Sequence, residues 1–386
     1  MLSRTADHLF WMARYMERAE NTARMLDVNY QMSLLPQSVE AAEKGWRGLL
    51  SISELSGDYA KRHGAVTPQG VMEYMVSDPA NGSSIRSCLQ AARENARAVR
   101  GTLTTEVWET QNQTWLEFQR MVATDAFERT PSDAFEWVKF RSHLSRGVTV
   151  GTMLQDEAFH FLRIGSFLER ADNTARLLDV KFHAVDSEFF GPGLGPRIAG
   201  QSQTPAGMAQ SLGGMTQTIG ALSSVQRLDA SAPSGGAAAG NGNGNINGNG
   251  NGNGNGNGNG NGRDVEYDFY HWSAILRSVS GFEVYRKVYR NVIRPEKVAE
   301  LLILRPDMPR SLAACMQEVM SNLQFVANEQ SKDTLRLAGR LHADLRYGRI
   351  DEILATGLHA FLTQFLERVN TLGVGISRDF LVPVAA

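Results

Sequence analysis

The sequence predicts an all-α protein, a helical bundle built from two duplicated multi-helix units with pseudo-two-fold symmetry. Apolar residues recur at helical spacing outside one Gly/Asn-rich stretch, and no segment shows the sustained alternation typical of strands. The twelve prolines fall at or near the ends of these segments, or inside that stretch. A long motif also occurs twice, which indicates an internal duplication.

The first predicted helix begins with Ser3 as its N-cap and ends before Pro36. The other helices follow from apolar periodicity and from the cap and breaker residues that flank it. They are predicted at Val39 to Arg62, Gly70 to Ser77, a segment that begins near Ser84, Thr104 to Thr124, Phe135 to Gly147, Leu154 to Val185, Tyr267 to Asn291, Pro295 to Leu304, Ser311 to Glu329, Lys332 to Tyr347 and Ile350 to Phe380.

The repeated motif is the clearest sign of duplication. It runs from Tyr15 to Val28 and again from Phe167 to Val180, without a gap and at an offset of 152 residues. The match extends back to His8 and His160. Each copy lies on a long predicted helix, so we expect the two long helices to be equivalent elements of two helical units.

A second pair of matching segments gives the domain organisation. Residues 71–90 align with residues 298–317 and place Cys88 opposite Cys315, while Trp46 matches Trp272. The offset is 227 residues for the two segments and 226 for the tryptophans, and it exceeds the first offset by about the length of the Gly/Asn-rich stretch. We therefore predict a first unit at 1–150 and a second unit at 151–190 and 264–386, packed as one globular body. Residues 191–263 are predicted to be a disordered insertion.

Composition excludes several classes of protein. The formal net charge is −2, so no basic field indicates nucleic-acid binding. Only two cysteines are present, which argues against a disulfide framework and fits a reducing compartment. No window reaches the roughly 18 apolar residues that span a bilayer, and the first residues lack the apolar core of a signal peptide. We expect a cytoplasmic protein.

The polar residues that both motif copies share are the candidate functional residues. Three interpretations are open for them: a solvated helix face, a buried polar network, or a site that binds a ligand or substrate. Identity between copies that have otherwise diverged favours the buried network, because exposed residues should have drifted with their neighbours. The residues are Glu17, Arg18, Asn21, Arg24 and Asp27, with their counterparts Glu169, Arg170, Asn173, Arg176 and Asp179.

A buried network requires partners across the two long helices. If these helices pack about a pseudo-two-fold axis, we expect Glu17 to face Arg176 and Glu169 to face Arg24, with Asn21 near the axis beside Asn173. A buried ion pair that is fully hydrogen-bonded would specify the register of the helices rather than add stability.

Other chemistry has little support in the sequence. Glu157 and His160 have the spacing of a di-iron ligand pair, but Thr5 occupies the position of Glu157 in the first copy. His8 and His160 are therefore interpreted as core or interface histidines, and the cysteines as buried packing residues. No phosphate-binding loop or nucleophile motif is present, so we expect no metal, no cofactor and no catalytic residue. A segment from Phe365 to Thr371 resembles the motif but lacks its second Arg and its Asp.

Taken together, these motifs resemble the alpha-E domain family of bacterial all-helical proteins, which are named for a Glu-Arg motif. The resemblance covers the chain except the Gly/Asn-rich stretch, which departs from the family pattern. It rests on the segments Met1 to Arg4, Arg14 to Arg24, Ser84 to Arg97, Phe167 to Asp179, Trp272 to Arg286 and Arg310-Ser311.

The resemblance implies a function without established catalytic residues. The resemblance implies a gene that lies in a recurring neighbourhood with genes for three kinds of enzyme: circularly permuted ATP-grasp ligases, transglutaminase-like peptidases and proteasome-like amidohydrolases. The expected role is a non-catalytic helical partner or scaffold of an ATP-grasp type peptide or amide ligase. The alternative is an enzyme or binding protein that uses the Glu-Arg motif to bind a peptide or amino acid. A third possibility is a stable homo-oligomer.

Overall fold

The computed structural model describes the backbone of residues 1–189 and 261–381 and the side chains of residues 1–180 and 270–381. In these residues it contains sixteen α-helices, one short 3-10 helix at Arg100–Thr102 and no strand. The helices are α1 (Ser3–Ser33), α2 (Val39–Ile52), α3 (Ser56–His63), α4 (Pro68–Val76), α5 (Ile85–Ala98), α6 (Thr105–Ala123), α7 (Ala126–Arg129), α8 (Pro131–Thr152), α9 (Glu157–Phe189), α10 (Asn261–Ser278), α11 (Phe282–Tyr289), α12 (Pro295–Ile303), α13 (Leu312–Phe325), α14 (Lys332–Tyr347), α15 (Ile350–Thr356) and α16 (Leu358–Phe380).

The two long helices α1 and α9 lie side by side, and the other described helices pack around them. On α1 the neighbours are α5 and α8, and on α9 they are α13 and α16. Residue numbers rise in the same direction along both helices: Phe10 contacts Gly165, and Arg14, one turn later, donates a hydrogen bond to Glu169. The two helices therefore run parallel, with each residue of α1 level with its repeat counterpart on α9.

The burial of α1 explains why its sequence pattern is unusual. From Tyr15 to Asp27 nearly every residue is buried, whether apolar or charged. Helices cover α1 on several sides, so an amphipathic stripe alone does not describe it. Polar groups buried in this way must be hydrogen-bonded, because an unpaired charge is costly away from water.

The loops that precede α5 and α13 are built alike. Ser84 Oγ accepts a hydrogen bond from the backbone N–H of Ser87 at 3.2 Å, and Ser311 Oγ accepts one from Ala314 at 3.0 Å. Each serine also donates its hydroxyl proton to a carbonyl six residues earlier in the chain. These caps anchor the two helices that carry the buried thiols of Cys88 and Cys315.

Three helices that were predicted to be continuous are broken in the structure. The helix predicted from Val39 to Arg62 breaks at Glu54 (φ 56°), and the one predicted from Tyr267 to Asn291 breaks at Ser280 (φ 53°). In each case the backbone N–H of the following residue donates to the carbonyl five residues before it, Leu55 to Leu50 and Gly281 to Leu276. This is the hydrogen bond of a Schellman-type helix end. Neither position holds the glycine that usually marks such an end. The helix predicted from Ile350 to Phe380 breaks at Gly357 (φ 100°), a conformation that favours glycine.

Several predicted boundaries also differ from the structure. Ser3 is not an N-cap, because α1 begins at Ser3 and the Leu2 carbonyl accepts the first helical bonds. The predicted helix from Phe135 to Gly147 extends in both directions, from Pro131 to Thr152. The backbone of α10 is helical from Asn261, before the predicted restart at Tyr267. The predicted disordered insertion at 191–263 lies, apart from its last residues, outside the described residues.

In the described part of the chain, no helix combines the length and the apolar character that crossing a membrane requires.

Candidate functional site

The Glu-Arg dipeptides of the two motif copies meet where α1 packs on α9. Arg18 donates from Nε and Nη2 to the two carboxylate oxygens of Glu169, at 2.6 and 3.1 Å. In return, Arg170 donates from Nε and Nη2 to the two oxygens of Glu17, at 2.9 and 2.8 Å. Both contacts are bidentate, which gives them directional specificity as well as charge. The motif is thus a reciprocal pair of ion bridges between the two long helices.

The predicted pairings of Glu17 with Arg176 and of Glu169 with Arg24 are wrong. They require residues at different heights along the two helices to face each other. Because α1 and α9 run parallel, Glu17 is level with the start of the second motif, and Arg176 lies about two helical turns, roughly 10 Å, further along. The arginine next to the counterpart glutamate is the one within reach.

Arg24 and Arg176 instead bond one turn back on their own helices. Arg24 Nε donates to Glu20 at 2.8 Å, and Arg176 Nε donates to Asp172 at 2.7 Å. Each arginine also donates to a residue that ends a neighbouring helix and has a left-handed backbone conformation. Arg24 Nη1 donates to Ser280 Oγ at 2.6 Å, and Arg176 Nη1 donates to Glu54. These arginines connect each long helix to a helix end of the other half of the sequence.

A larger ionic cluster surrounds the first motif copy. We call it the Glu20 cluster and define it as Glu17, Glu20, Arg24, Arg146, Arg170 and Arg310. Arg310 Nη2 donates to Glu20 at 2.5 Å, and its Nη1 lies 3.1 Å from Glu17. Arg146 Nη1 donates to both carboxylates and lies 3.0 Å from Ser142 Oγ. Every member of the cluster except Arg146 has a nearly fully buried side chain.

The arginines keep the buried carboxylates ionised. Burial is the strongest single influence on the pKa of Glu17 and acts to raise it, but Arg170, Arg310 and Arg146 together hold that pKa below its usual value. The same competition places the pKa of Glu20 well below its usual value. For Glu169, burial is outweighed by Arg18 and Arg14, which lower its pKa to about 2. These groups are therefore charged at neutral pH and unsuited to general acid–base catalysis.

The surroundings of the second motif copy are simpler. Glu169 accepts from Arg14 Nε at 2.7 Å in addition to Arg18. Arg176 is shared between Asp172 and Glu54. We call these residues the Glu169 cluster: Arg14, Arg18, Glu54, Glu169, Asp172 and Arg176.

The remaining motif residues serve contacts with other helices. Asn21 Oδ1 accepts from Arg310 Nη1 at 2.7 Å, while Asn173 is half-buried. Asp27 accepts from Lys139 Nζ of α8 at 2.8 Å, and Asp179 lies 2.6 Å from Nδ1 of His359 of α16. The prediction that Asn21 and Asn173 lie together near an axis stays a prediction, since no contact between the two amides is described.

Sequence reasoning missed several members of these clusters. Glu20 stands in the repeated stretch, but its counterpart is Asp172, so identity between copies did not select it. Arg310 appeared only as part of a family-like Arg-Ser pair, with Ser83 as its repeat counterpart. Arg14 and Arg146 have no equivalent arginine in the other copy. Only the folded structure brings these cations to the motif.

A cleft opens beside the Glu20 cluster, between α1, α8 and α9. Its empty space, counted together with the open solvent at its mouth, is about 500 Å³. Its polar lining includes Glu17, Arg146 and Arg163, and its apolar lining includes Met16 and Phe167. The cleft thus borders one carboxylate of the motif, that of Glu17, and Arg146 of the Glu20 cluster.

The other candidates from the sequence have structural roles. Nδ1 of His8 lies 2.7 Å from Asn95 Oδ1, and Nδ1 of His160 lies 2.7 Å from Asn322 Oδ1. Burial raises the pKa of the Cys88 and Cys315 thiols to about 12, so neither is a ready nucleophile. In the weak third copy of the motif, Arg368 pairs with Asp344 at the surface.

Comparison with known proteins identifies a family. Residues 1–204 and 253–381 match the Alpha-E family, which is described as a predicted alpha-helical domain with a conserved ER motif. Neither the curated proteins nor the solved structures give a match. The matched residues cover most of the chain and include the two Glu-Arg dipeptides that bridge α1 and α9, Glu17-Arg18 and Glu169-Arg170. The chain belongs to the Alpha-E family.

Proposed function

We propose that the protein is a non-catalytic helical scaffold whose Glu-Arg motif locks two long helices together. The observation that carries this proposal is the reciprocal bidentate pairing of Arg18 with Glu169 and of Arg170 with Glu17. A catalytic group must touch its substrate, whereas these side chains are paired with each other, and all of them except the partly exposed Arg18 are buried. Such a network specifies register and partner choice between helices.

We also propose that the scaffold arose from two copies of one helical unit, the first at 1–150 and the second at 151–190 and 264–386. Matched contacts support this proposal. The histidine–asparagine contacts, the serine caps of α5 and α13, and the arginines that reach Glu54 and Ser280 each occur once in either half. The parallel register of α1 and α9 places counterpart residues level with each other, as a two-fold axis along the pair requires.

The partner we propose is a circularly permuted ATP-grasp ligase, with a transglutaminase-like peptidase as a second member of the system. Family membership is what supports this choice. In this role the chain would act in peptide or amide-bond formation without supplying catalytic residues. A cytoplasmic location suits an ATP-dependent partner, and the free thiols of Cys88 and Cys315 are compatible with a reducing compartment.

Co-purification tests the scaffold proposal. The full chain is expressed together with a circularly permuted ATP-grasp ligase, and complex formation is measured by size-exclusion chromatography with light scattering. ATP hydrolysis is then measured on amino-acid and peptide acceptors with and without this chain. We expect a stable complex and altered hydrolysis. If the two proteins neither bind nor affect each other's activity, the scaffold proposal fails; a complex of this chain only with itself would favour the homo-oligomer.

A second candidate function is the binding of a small substrate such as an amino acid or peptide. The cleft beside the Glu20 cluster favours it, because Glu17 and Arg146 both line that cleft. This candidate uses one face of the motif while the reciprocal bridges remain structural, so both functions are compatible in one molecule.

A further inference from the structure

The Glu20 cluster carries more positive charge than it can pair internally. Four guanidinium groups, those of Arg24, Arg146, Arg170 and Arg310, share the two carboxylates of Glu17 and Glu20. Burial, together with repulsion from Arg170 and Arg24, lowers the pKa of Arg310 even though both glutamates act to raise it. Buried charges are tolerated when they are paired and costly when they are not. The positive charge of the cluster would therefore be better balanced by a further anion.

The second motif copy shows that this excess is a local feature. In the Glu169 cluster, the cations Arg14, Arg18 and Arg176 are matched by Glu54, Glu169 and Asp172. The two copies share their Glu-Arg bridges, but only the first recruits Arg146 and Arg310. Its extra charge comes from outside the motif and is not needed to bridge α1 and α9.

The flanking carboxylates do not neutralise the excess, because they pair with other cations. Asp27 and Glu136 accept from Lys139, and Glu318 accepts from Arg163 at 2.7 Å. His143 lies beside Arg24 and Arg146, and burial together with these arginines lowers its pKa despite the opposing effect of Glu20. A neutral imidazole has one acceptor nitrogen and cannot accept from two guanidiniums at once.

The cleft next to the cluster exists because the inner face of α8 is small and polar. The contacts of Asp27 with Lys139 and of Asp179 with His359 set an equivalent register for α8 on α1 and for α16 on α9. In that register, two small residues of α8 correspond to two large residues of α16: Ser142 with Leu362, and Ser145 with Phe365. A third pair, Thr149 with Val369, is equal in size and differs only in polarity, and all six side chains are buried. Space that α16 fills in the second half stays open in the first.

We propose that this cleft binds the oxyanion of a small ligand, with Arg146 at its mouth as the principal contact. The Arg146 side chain is 28% exposed, whereas those of Arg24, Arg170 and Arg310 are 8% or less, so solvent reaches the cluster through Arg146. A carboxylate or phosphate matches the planar donor fork of a guanidinium. This inference deepens the ligand-binding candidate and does not depend on the scaffold proposal.

The rest of the cleft defines the body of the ligand. Met12, Met16, Leu162 and Phe167 line it, so most of its wall is apolar. A ligand that fits has a compact apolar part joined to the anionic group, as in an N-blocked apolar amino acid with a free carboxylate. Inorganic phosphate carries the charge without an apolar part, and acetate carries a carboxylate with almost no apolar part. Comparing these molecules separates the contribution of the anionic group to binding from that of the apolar part.

Isothermal titration calorimetry on the isolated full chain tests the site. The probes are N-acetyl-leucine, acetate, inorganic phosphate and the uncharged N-acetyl-leucinamide. We expect one-to-one binding of N-acetyl-leucine, at least tenfold weaker binding of acetate, and no binding of the amide. If phosphate binds tighter than N-acetyl-leucine, the site is still an oxyanion site and its ligand is a phosphorylated compound.

Variants locate the binding in the cleft. Arg146→Gln should weaken the tightest probe at least tenfold, and Ser166→Leu should also weaken it, because that change fills the cleft without altering any charge. Arg141→Gln is the matched control, since Arg141 lies on the same helix and bonds Thr114 and Thr110 of α6. It should leave binding within twofold.

Three outcomes would overturn the proposal: no binding of any anion, equal binding of the amide, or affinities unchanged in Arg146→Gln and Ser166→Leu. Each variant's urea midpoint, measured without ligand, separates loss of the site from loss of the fold. Because the partner protein is absent, failure here would leave the scaffold proposal standing, and failure of co-purification would leave this one standing.

Discussion

At the scale of single residues, the motif charges act as paired structural groups. Glu17, Glu20 and Glu169 are buried, and they are ionised because guanidinium groups surround them. Identity between the motif copies indicated a buried network, and the structure contains one. The partners differ from those expected, because sequence identity reports which residues matter and says nothing of the direction in which two helices run.

Acid should weaken the fold through Glu169. Its pKa in the folded protein is about 2, below the ordinary 4.5, so it contributes stability that is present above about pH 4.5 and is lost as pH falls toward 2. The full contribution is about 3 kcal/mol. In Arg14→Gln one of its two arginines is gone, so the loss of unfolding free energy between pH 5 and pH 3 should be about 1 kcal/mol smaller than in the wild type. Urea titrations at each pH measure it; identical pH profiles would contradict this assignment.

Removing Arg24 should destabilise the protein. Arg24→Met takes away the bonds to Glu20 and Ser280. We expect a loss of about 2 kcal/mol, less than the 3–5 kcal/mol typical of a buried pair that loses its only partner, because Glu20 keeps Arg146 and Arg310. Urea unfolding gives the value. Arg47→Met is the control: Arg47 forms an exposed pair with Glu43, whose loss should change stability by no more than about 0.5 kcal/mol. A similarly small change for Arg24→Met would refute the buried network.

At the scale of elements, the contact between α1 and α9 depends on a close backbone approach. A Cβ atom at Gly165 would lie 2.3 Å from the carbonyl oxygen of Phe10 and 3.3 Å from Cβ of Ala13. The repeat counterpart of Gly165 is Ala13 itself, so the two helices meet with a glycine on one side and an alanine on the other. The sequence alone gave no reason to single out this glycine, since its role exists only when the helices pack.

Gly165→Ala should therefore separate the long helices. The new methyl group meets a backbone carbonyl that cannot move without shifting α1, and such overpacking typically destabilises by about 1–3 kcal/mol. Gly147→Ala is the matched control, because Gly147 also lies within a helix but has no atom near its would-be Cβ. There the change should raise stability by about 0.5–1 kcal/mol through helix propensity. Thermal unfolding of both variants checks the prediction, and a stabilising Gly165→Ala would show that the helices do not pack so closely.

At the scale of the whole molecule, the two halves of the sequence are joined by ion bridges, by arginines that reach opposite helix ends, and by a shared long-helix interface. Such coupling should make them unfold together. The buried thiols report on each half separately, Cys88 from α5 and Cys315 from α13. Their pKa of about 12 makes them unreactive until the surrounding helices open.

Thiol labelling in urea tests this coupling. In Cys315→Ala only Cys88 reports, and in Cys88→Ala only Cys315 reports. We expect each thiol to become reactive at the same urea concentration as the loss of helix circular dichroism in the same variant. A thiol that reacts well before the helix signal falls would show that its half opens independently.

The sequence by itself determined the helical class, most helix positions and the repeated motif, and it favoured a buried network over a solvated face or a ligand site for the motif charges. These follow from local periodicity and from the match between copies, which a single chain displays. Tertiary structure alone decided the parallel direction of α1 and α9, and hence that Glu17 meets Arg170 and not Arg176. It also decided that Arg146 and Arg310, distant in sequence and with no equivalent arginine in the other copy, gather at one motif copy. Ion pairs between two packed helices form where the side chains lie at similar positions along the helix axes. Neither those relative positions nor the packing itself is a local property of sequence.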